Sequence, residues 1–128
     1  MERTFMQALE SRRTFYAIGS KSPVSDDQIE EVIKFAVKHV PSAFNSQSTR
    51  VVLLLGESHK RVWNIAKDIL RKIVPAEAFK GTEEKINNCF LAGYGTVLYF
   101  EDQDVVKGLQ DQYPSYADNF PEIGRAHV

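Results

Sequence analysis

The stretch "PSAFNSQSTRVVLLL", residues 41–55, joins a polar segment to a continuous apolar run. The run "RVVLLL", residues 50–55, predicts a strand that is covered on both faces. The segment before it contains two side-chain amides and four hydroxyls but no glycine, whereas an ordinary connection usually carries more glycine or aspartate. We therefore treat Asn45, Ser46 and Gln47 as a candidate binding segment at the start of a buried strand.

Helical patterns occur on both sides of this stretch. Ser25 and Gln28 predict a capping box, and apolar residues then repeat at helical spacing until Pro41 ends the pattern. The other predicted elements are a helix over 2–12, helices capped by Ser58 and Thr82 with Pro75 between them, a helical piece near 104–112 and a second buried strand over 96–101. Helices that alternate with a few strands predict a layered α/β or α+β domain, and the sequence leaves the strand direction open.

Composition and charge exclude several classes of protein. The 128 residues are 43% hydrophobic and 26% charged, which predicts one folded domain and excludes a disordered chain. A net charge of −1 without blocks of like charge provides no electrostatic surface for nucleic acid or anionic membranes. The N-terminus lacks a signal-peptide pattern, no apolar run is long enough to span a bilayer, and Cys89 is the one cysteine. We therefore expect a cytoplasmic protein without disulfides.

Three other patterns lack the partners that their chemistry needs. His39, His59 and His127 lie far apart in the sequence, so we interpret them as surface histidines and expect no metal site. Cys89 lies on the inward face of a predicted helix without an identifiable base, which favours a small apolar side chain over a catalytic thiol. The "GYG" at 93–95 follows a helix and precedes a strand, so it predicts a helix end and not a dinucleotide-binding turn.

Arg12 and Arg13 have two interpretations. Two cations at the end of a helix interact favourably with its dipole. The same pair, followed by Thr14, Tyr16 and Lys21, also offers the guanidinium and hydroxyl donors that a phosphate site needs. The pair alone leaves both interpretations open.

Asn45 and Gln47 also have two interpretations. Loops rich in asparagine and serine often form hydrogen bonds with their own backbone. An amide also offers a donor and an acceptor, so two amides match a heterocycle edge that presents C=O, N–H and C=O in sequence. The pyrimidine edge of a flavin has this pattern, and again the motif alone leaves both interpretations open.

Several motifs in the same order resemble the nitroreductase family. They are "SRRTFY" at 11–16, the capped helix after Ser25, "PSAFNSQ" at 41–47, "LAGYGTVLYFED" at 91–102 and "YPSYADNFP" at 113–121. The resemblance is strongest to the subgroup related to fatty-acid-responsive nitroreductases. It implies an α+β fold with a central sheet flanked by helices, and a flavoprotein that depends on FMN and is usually a homodimer.

The resemblance implies a role for each candidate residue. Arg12, Arg13 and Thr14 would contact the FMN phosphate and ribityl chain, and Asn45, Ser46 and Gln47 would contact the ring and ribityl chain. Many family members read R-R-S-x-R, whereas Phe15 and Tyr16 follow Thr14 here, so either Tyr16 or a distant arginine would complete the phosphate site. Many also read N-x-Q-P-W, whereas Ser48 and Thr49 follow Gln47 here.

The implied reaction passes electrons from NADH or NADPH through FMN to a nitro compound, a quinone or a similar acceptor. It assigns no side chain as a catalytic acid or base. Two alternatives belong to other classes: a catalytically weak flavin-binding regulatory protein of the same fold, and a structural or interaction domain without a cofactor.

The length of the chain differs from that of the family. Family members continue beyond "ADNFP" with further helices, a strand and more of the flavin site. In addition, "IGRAHV" at 123–128 can be back-translated into the start of a common sequencing adapter. We therefore expect residues 1–121 to be the N-terminal part of a single nitroreductase-like domain in a longer protein, and residues 122–128 to be a non-native tail.

Overall fold

The structure is a computed structural model that describes residues 3–122. These residues form α-helices and two strands, with two α-helices before each strand. The α-helices are α1 (Phe5–Ser11), α2 (Asp26–His39), α3 (Gly56–Ile73), α4 (Ala76–Lys85) and α5 (Gln103–Gln112), and the strands are β1 (Thr49–Leu55) and β2 (Gly95–Glu101). Short 3-10 segments span Ala43–Asn45 and Pro114–Glu122, and a π-helical turn spans Ile86–Phe90. The predicted α+β class is confirmed. Of the expected tail, Glu122 ends the second 3-10 segment, and residues 123–128 lie outside the described residues.

The described residues form two compact units. The first unit contains the described residues up to Lys21 together with Glu57–Tyr94, and therefore holds α1, most of α3, α4 and the π-helical turn. The second unit contains Ser22–Gly56 together with the described residues from Gly95 onward, and therefore holds α2, both strands, α5 and the two 3-10 segments. No helix within residues 3–122 is both long and apolar enough to cross a bilayer.

The predicted capping box at the start of α2 is confirmed. Ser25 Oγ accepts a hydrogen bond from the Gln28 amide at 3.3 Å, and Gln28 Oε1 accepts one from the Ser25 amide at 3.1 Å. Both bonds satisfy amides that have no partner within the first turn of a helix. One turn along the exposed face, Lys34 Nζ lies 2.6 Å from a carboxylate oxygen of Glu30, and this hydrogen bond raises the pKa of Lys34.

The predicted caps at Ser58 and Thr82 are wrong. The α3 helix begins at Gly56, whose φ of 53° makes the turn from β1, and Ser58 therefore lies inside the helix. Thr82 lies inside α4, where its hydroxyl donates to the Ala78 carbonyl oxygen at 3.3 Å. A hydroxyl that bonds a carbonyl one turn back is compatible with a continuous helix, so a threonine does not by itself mark a helix start.

The two strands form an antiparallel pair in the second unit. The register runs from Thr49 opposite Glu101 to Leu55 opposite Gly95. The prediction that both strands are buried on both faces is wrong for the described residues, because Tyr99 is 69% exposed and Val52 and Phe100 are also exposed. In this unit α2 contacts β1. The described elements nevertheless leave apolar side chains of both strands exposed, whereas the continuous apolar pattern is typical of strands covered on both faces.

The first unit packs around residues of α3, α4 and the π-helical turn. Phe79 and Ile86 are buried, and the Trp63 ring stacks on the Phe90 ring with centroids 4.7 Å apart. The Arg71 guanidinium lies over the Phe79 ring at 5.1 Å.

The interpretation of all three histidines as surface residues is wrong for His59. Its side chain is 3% exposed, and its Nε2 lies 3.2 Å from the Leu91 carbonyl oxygen. His39 is exposed and its ring lies 4.4 Å from that of Phe35, whereas His127 is outside the described residues. A polar ring becomes buried where a backbone carbonyl offers it a partner, which no spacing in the sequence reveals.

Gly95 gives a stability prediction for the sheet. A Cβ at this position would lie 2.5 Å from Leu55 Cδ2 and 2.9 Å from the Leu54 carbonyl oxygen. Because that oxygen belongs to the backbone of β1, it cannot shift without distorting the strand. We expect Gly95→Ala to lower the free energy of unfolding of the full-length protein by about 1–3 kcal/mol. The control is Gly81→Ala inside α4, where nothing lies within 4 Å, and which should stabilise the protein by about 0.4–1 kcal/mol. Urea unfolding of both variants tests this pair, and equal effects would contradict the close approach at Gly95.

Candidate functional site

The first candidate segment follows the end of α1. The Arg12 amide closes the helix by donating to the Ala8 carbonyl oxygen at 3.1 Å. The Arg12 side chain then turns towards Thr14, with Nη1 3.5 Å from Oγ1. The side chains of Arg12, Thr14 and Tyr16 are exposed, so their donors face solvent. This segment therefore presents a guanidinium and a neighbouring hydroxyl together at the surface of the first unit.

Arg13 has a different set of partners. Its Nη1 donates to the Glu10 carbonyl oxygen at 2.8 Å and to the Arg12 carbonyl oxygen at 2.7 Å. These carbonyls lie at the C-terminal end of α1, where a cation interacts favourably with the helix dipole. The two arginines therefore differ in their contacts, and the phosphate role of both stays a prediction. Arg13 supports the helix end, and Arg12 is grouped with Thr14.

The second candidate segment is a loop with an unusual backbone. Three residues other than glycine have backbone in the left-handed region: Phe44, Asn45 and Gln47, with φ values of 54°, 52° and 49°. Asparagine tolerates this region better than most residues, whereas phenylalanine and glutamine rarely adopt it. Each such residue costs on the order of 1–3 kcal/mol, so the surrounding contacts must hold the loop in place.

Hydrogen bonds within the segment hold this conformation. The Gln47 amide donates to Ser42 Oγ and the Asn45 amide donates to the Ser42 carbonyl oxygen, both at 3.0 Å. Arg50 Nη1 donates to the Gln47 carbonyl oxygen at 2.9 Å, and Gln47 Nε2 donates to Asn45 Oδ1 at 3.1 Å. The side-chain nitrogen Nδ2 of Asn45 and the side-chain oxygen Oε1 of Gln47 have no partner within residues 3–122, and both side chains are exposed. The loop thus bonds its own backbone and also leaves one side-chain amide nitrogen and one side-chain amide oxygen exposed without a partner among the described residues.

An aromatic cluster holds the Phe44 side chain. Its ring centroid lies 5.1 Å from Phe120 in an edge-on arrangement, 5.3 Å from Tyr113 and 5.7 Å from Tyr116. Phe120 is buried and packs with Val106 of α5. The motif "YPSYADNFP" entered the sequence-based prediction only as part of the family resemblance, and its contact with Phe44 was not predicted. The close spacing of three aromatic residues was the signal that could have indicated a cluster.

A carboxylate at the end of β2 also contacts the loop segment. Glu101 Oε2 accepts a hydrogen bond from Ser48 Oγ at 2.5 Å, and Glu101 Oε1 accepts one from Thr49 Oγ1 at 3.1 Å. Ser48 Oγ lies 3.2 Å from Ser46 Oγ. The contact between Glu101 and Ser48 was not predictable from local sequence, because it depends on the register of two strands far apart in the chain.

The candidate residues are therefore distributed over both units. Arg12, Arg13, Thr14 and Tyr16 belong to the first unit, whereas Asn45, Ser46 and Gln47 belong to the second. Within the described ranges, no group of three or more histidine, cysteine, aspartate or glutamate side chains could hold a metal ion. The groups at the two segments are guanidinium, hydroxyl and amide groups together with the Glu101 carboxylate, all of which can form hydrogen bonds with a ligand.

The sequence matches the Nitroreductase family over residues 9–126. In Saccharomyces cerevisiae it is similar to HBN1, with 33% identity over 94% of this chain and 60% of that protein. It is also similar to the nitroreductase FRM2 of the same yeast, with 34% identity over 91% of this chain and 58% of that protein. Among solved structures, the nitroreductase CinD from Lactococcus lactis in complex with chloramphenicol has a TM-score of 0.75 and 42% identity, over 92% of this chain and 58% of that one. The chain thus spans about 60% of the length of these relatives.

Proposed function

Because the chain belongs to the nitroreductase family, we propose that the protein carrying it is an FMN-dependent oxidoreductase that passes electrons from NADH or NADPH to nitro compounds, quinones or similar acceptors. The observation that carries the proposal is the loop at 43–47. It lacks glycine, adopts left-handed backbone at three positions and exposes Asn45 Nδ2 and Gln47 Oε1, which its own hydrogen bonds do not use. Strained backbone of this kind is concentrated at ligand-binding sites.

The groups at the first segment fit a phosphate. Arg12 provides a planar, permanently charged donor, and Thr14 provides a hydroxyl beside it. Arg13 is the second cation of this segment, although its contacts with the end of α1 limit how freely it can turn. Tyr16 is exposed close to this pair in sequence and is the candidate to complete the set.

The groups at the loop fit the polar edge of a flavin ring. The side-chain nitrogen Nδ2 of Asn45 can donate to a ring carbonyl, and Gln47 Oε1 can accept from a ring N–H. Because the two side chains are hydrogen-bonded to each other at 3.1 Å, each fixes the orientation of the other. Ser46 is the third member of this set and would contact the ring or the ribityl chain.

FMN, when bound, would supply the redox chemistry, in which electrons from NADH or NADPH pass to the nitro compound or quinone. The side chains bind and orient it, and none is assigned as an acid or base. A homodimeric state and a cytoplasmic location are part of the same proposal, since the family resemblance implies the first and the lone Cys89 favours a reducing compartment.

Absorbance of the purified full-length protein tests the proposal. We expect a yellow protein that NADH or NADPH bleaches and that 4-nitrophenol reoxidises, because CinD has also been solved with 4-nitrophenol. A yellow protein that neither nicotinamide reduces would favour a catalytically weak, regulatory flavoprotein. A colourless protein that takes up no added FMN would favour a structural domain.

Substitutions in the loop should change the midpoint potential of the flavin more than they change the affinity for FMN. We expect Asn45→Ala and Gln47→Ala in the full-length protein to shift the flavin midpoint potential. Each removes a hydrogen bond to the flavin ring that is stronger in one redox state of the flavin than in the other. A neutral hydrogen bond of about 0.5–1.5 kcal/mol corresponds to a shift of about 10–30 mV for two electrons. Loss of FMN affinity should stay below about tenfold.

Redox titration and FMN binding measure these two effects separately. Asn45→Gly is the matched control for the backbone, because glycine adopts a φ of 52° without strain whereas alanine does not. It should shift the potential as Asn45→Ala does while destabilising the protein less. Unchanged potentials in all three variants would leave the loop with only its backbone role.

A further inference from the structure

We propose that Glu101 sets the direction of a hydroxyl chain, from Ser46 through Ser48 to Glu101, so that Ser46 Oγ meets FMN as a hydrogen-bond acceptor. This proposal rests on the proposed function, since it concerns how the loop at 43–47 selects groups on that cofactor. Glu101 acts through Ser48 and is therefore a positioning residue, whereas Ser46 is the residue that would touch FMN.

The geometry of the chain is set by the antiparallel register. Thr49 lies opposite Glu101, which brings the carboxylate beside both Thr49 and the preceding Ser48. One oxygen accepts from Ser48 Oγ at 2.5 Å and the other accepts from Thr49 Oγ1 at 3.1 Å. Backbone contact reinforces this placement, because the Asp102 amide donates to the Ser48 carbonyl oxygen at 2.9 Å. Ser48 is 1% exposed, so its hydroxyl has little access to solvent.

The direction follows from counting protons. A carboxylate only accepts hydrogen bonds, and a serine hydroxyl has one proton to donate. The Ser48 proton is therefore committed to Glu101. In the 3.2 Å contact between the two serines, Ser46 must then donate and Ser48 must accept.

The direction determines which ligand groups Ser46 can bind. With its proton committed to Ser48, Ser46 Oγ offers only lone pairs to a ligand. The partner group on FMN must then carry a proton, as a ribityl hydroxyl or the ring N–H does. A ring carbonyl or a phosphate oxygen does not meet this condition. The chain thus gives Ser46 a chemical preference that an isolated serine lacks.

The matched pair Ser48→Ala and Thr49→Val tests this chain in the full-length protein. Each substitution removes one hydroxyl donor to Glu101, but only Ser48→Ala interrupts the path to Ser46. Binding is measured by titrating the apoprotein with FMN and following the quenching of flavin fluorescence. We expect Ser46→Ala and Ser48→Ala each to weaken FMN binding by about five- to tenfold, and Thr49→Val by less than about twofold.

A double-mutant cycle separates positioning from general support of the fold. If Ser48 acts through Ser46, the double variant Ser46→Ala, Ser48→Ala should bind FMN about as well as either single variant. Additive losses would overturn the proposal, because Ser48 would then act independently of Ser46. If the alanine variant melts before binding can be measured, Ser48→Cys replaces it in the cycle, because a thiol is only a weak donor and acceptor and so also weakens the path from Ser46 to Glu101.

The outcomes distinguish this proposal from the one on which it rests. A parent protein that binds FMN, with Ser48→Ala binding as tightly as Thr49→Val, overturns the hydroxyl chain and leaves the flavin site in place. A parent protein that binds no FMN overturns the proposed function and this proposal together.

Discussion

The 128-residue chain expressed alone should be insoluble or molten and should bind no stoichiometric FMN. Large apolar side chains are exposed on α2 and on both strands, for example Phe35 at 66% and Tyr99 at 69%. Each such side chain would contribute about 1.5–3 kcal/mol if it were fully buried. The described residues bury four hydrophobic side chains: Phe79, Ile86, Val106 and Phe120. Net stability is only about 5–15 kcal/mol for an ordinary domain. A core of this size should therefore not hold a unique fold.

Three measurements on the 128-residue chain and on the full-length protein test this expectation. Near-ultraviolet circular dichroism reports fixed packing, dye binding reports exposed apolar surface, and thermal unfolding reports cooperativity. The full-length protein should pass all three tests, because further chain would cover the open faces of β1 and β2. A soluble, yellow 128-residue protein that melts cooperatively would show that the expectation is wrong.

Arg12→Ala and Arg13→Ala in the full-length protein should weaken FMN binding, and at least one should do so strongly. A charge-assisted hydrogen bond to phosphate contributes about 1.5–3 kcal/mol, which corresponds to a loss of about ten- to hundredfold. The structure favours Arg12 for the larger effect, because its guanidinium is exposed beside Thr14. Arg13 should also affect the apoprotein, since it bonds the last carbonyls of α1.

Arg3→Ala is the matched control for the loss of one positive charge. Arg3 lies just before the same helix, where its Nη1 donates to Ser11 Oγ at 3.1 Å, and it is not part of the candidate segment. It should leave FMN binding within about twofold of the parent protein. If both Arg12→Ala and Arg13→Ala retain flavin through dialysis as well as Arg3→Ala does, the phosphate assignment is wrong.

Elements determined by neighbours in sequence were predictable from the residues alone. The start of α2 follows from Ser25 and Gln28 three residues apart, and its end precedes Pro41. The caps at Ser58 and Thr82 were predicted wrongly because a hydroxyl suits both a helix start and a bond to a carbonyl one turn back. The choice between these two roles depends on whether the helix already continues through that position.

The candidate loop was predictable in its composition but not in its geometry. Asn45, Ser46 and Gln47 differ from the residues of an ordinary turn, and that difference is visible in the sequence. The left-handed backbone is set by contacts with Ser42 and with aromatic rings beyond residue 112. The carboxylate of Glu101 is 52 residues from Thr49, so only the strand register brings the two together. Local patterns carry no information on such a pairing.

The stacking of Trp63 on Phe90 gives the first unit an optical signal of its own. Trp63 is the one tryptophan in the sequence, and both rings belong to elements of that unit. Its emission therefore reports the packing of α3 against the π-helical turn, whereas Tyr99, Tyr113 and Tyr116 report the second unit. In a thermal scan, a red shift of the tryptophan emission below the temperature at which flavin is released would identify the first unit as the one that opens first.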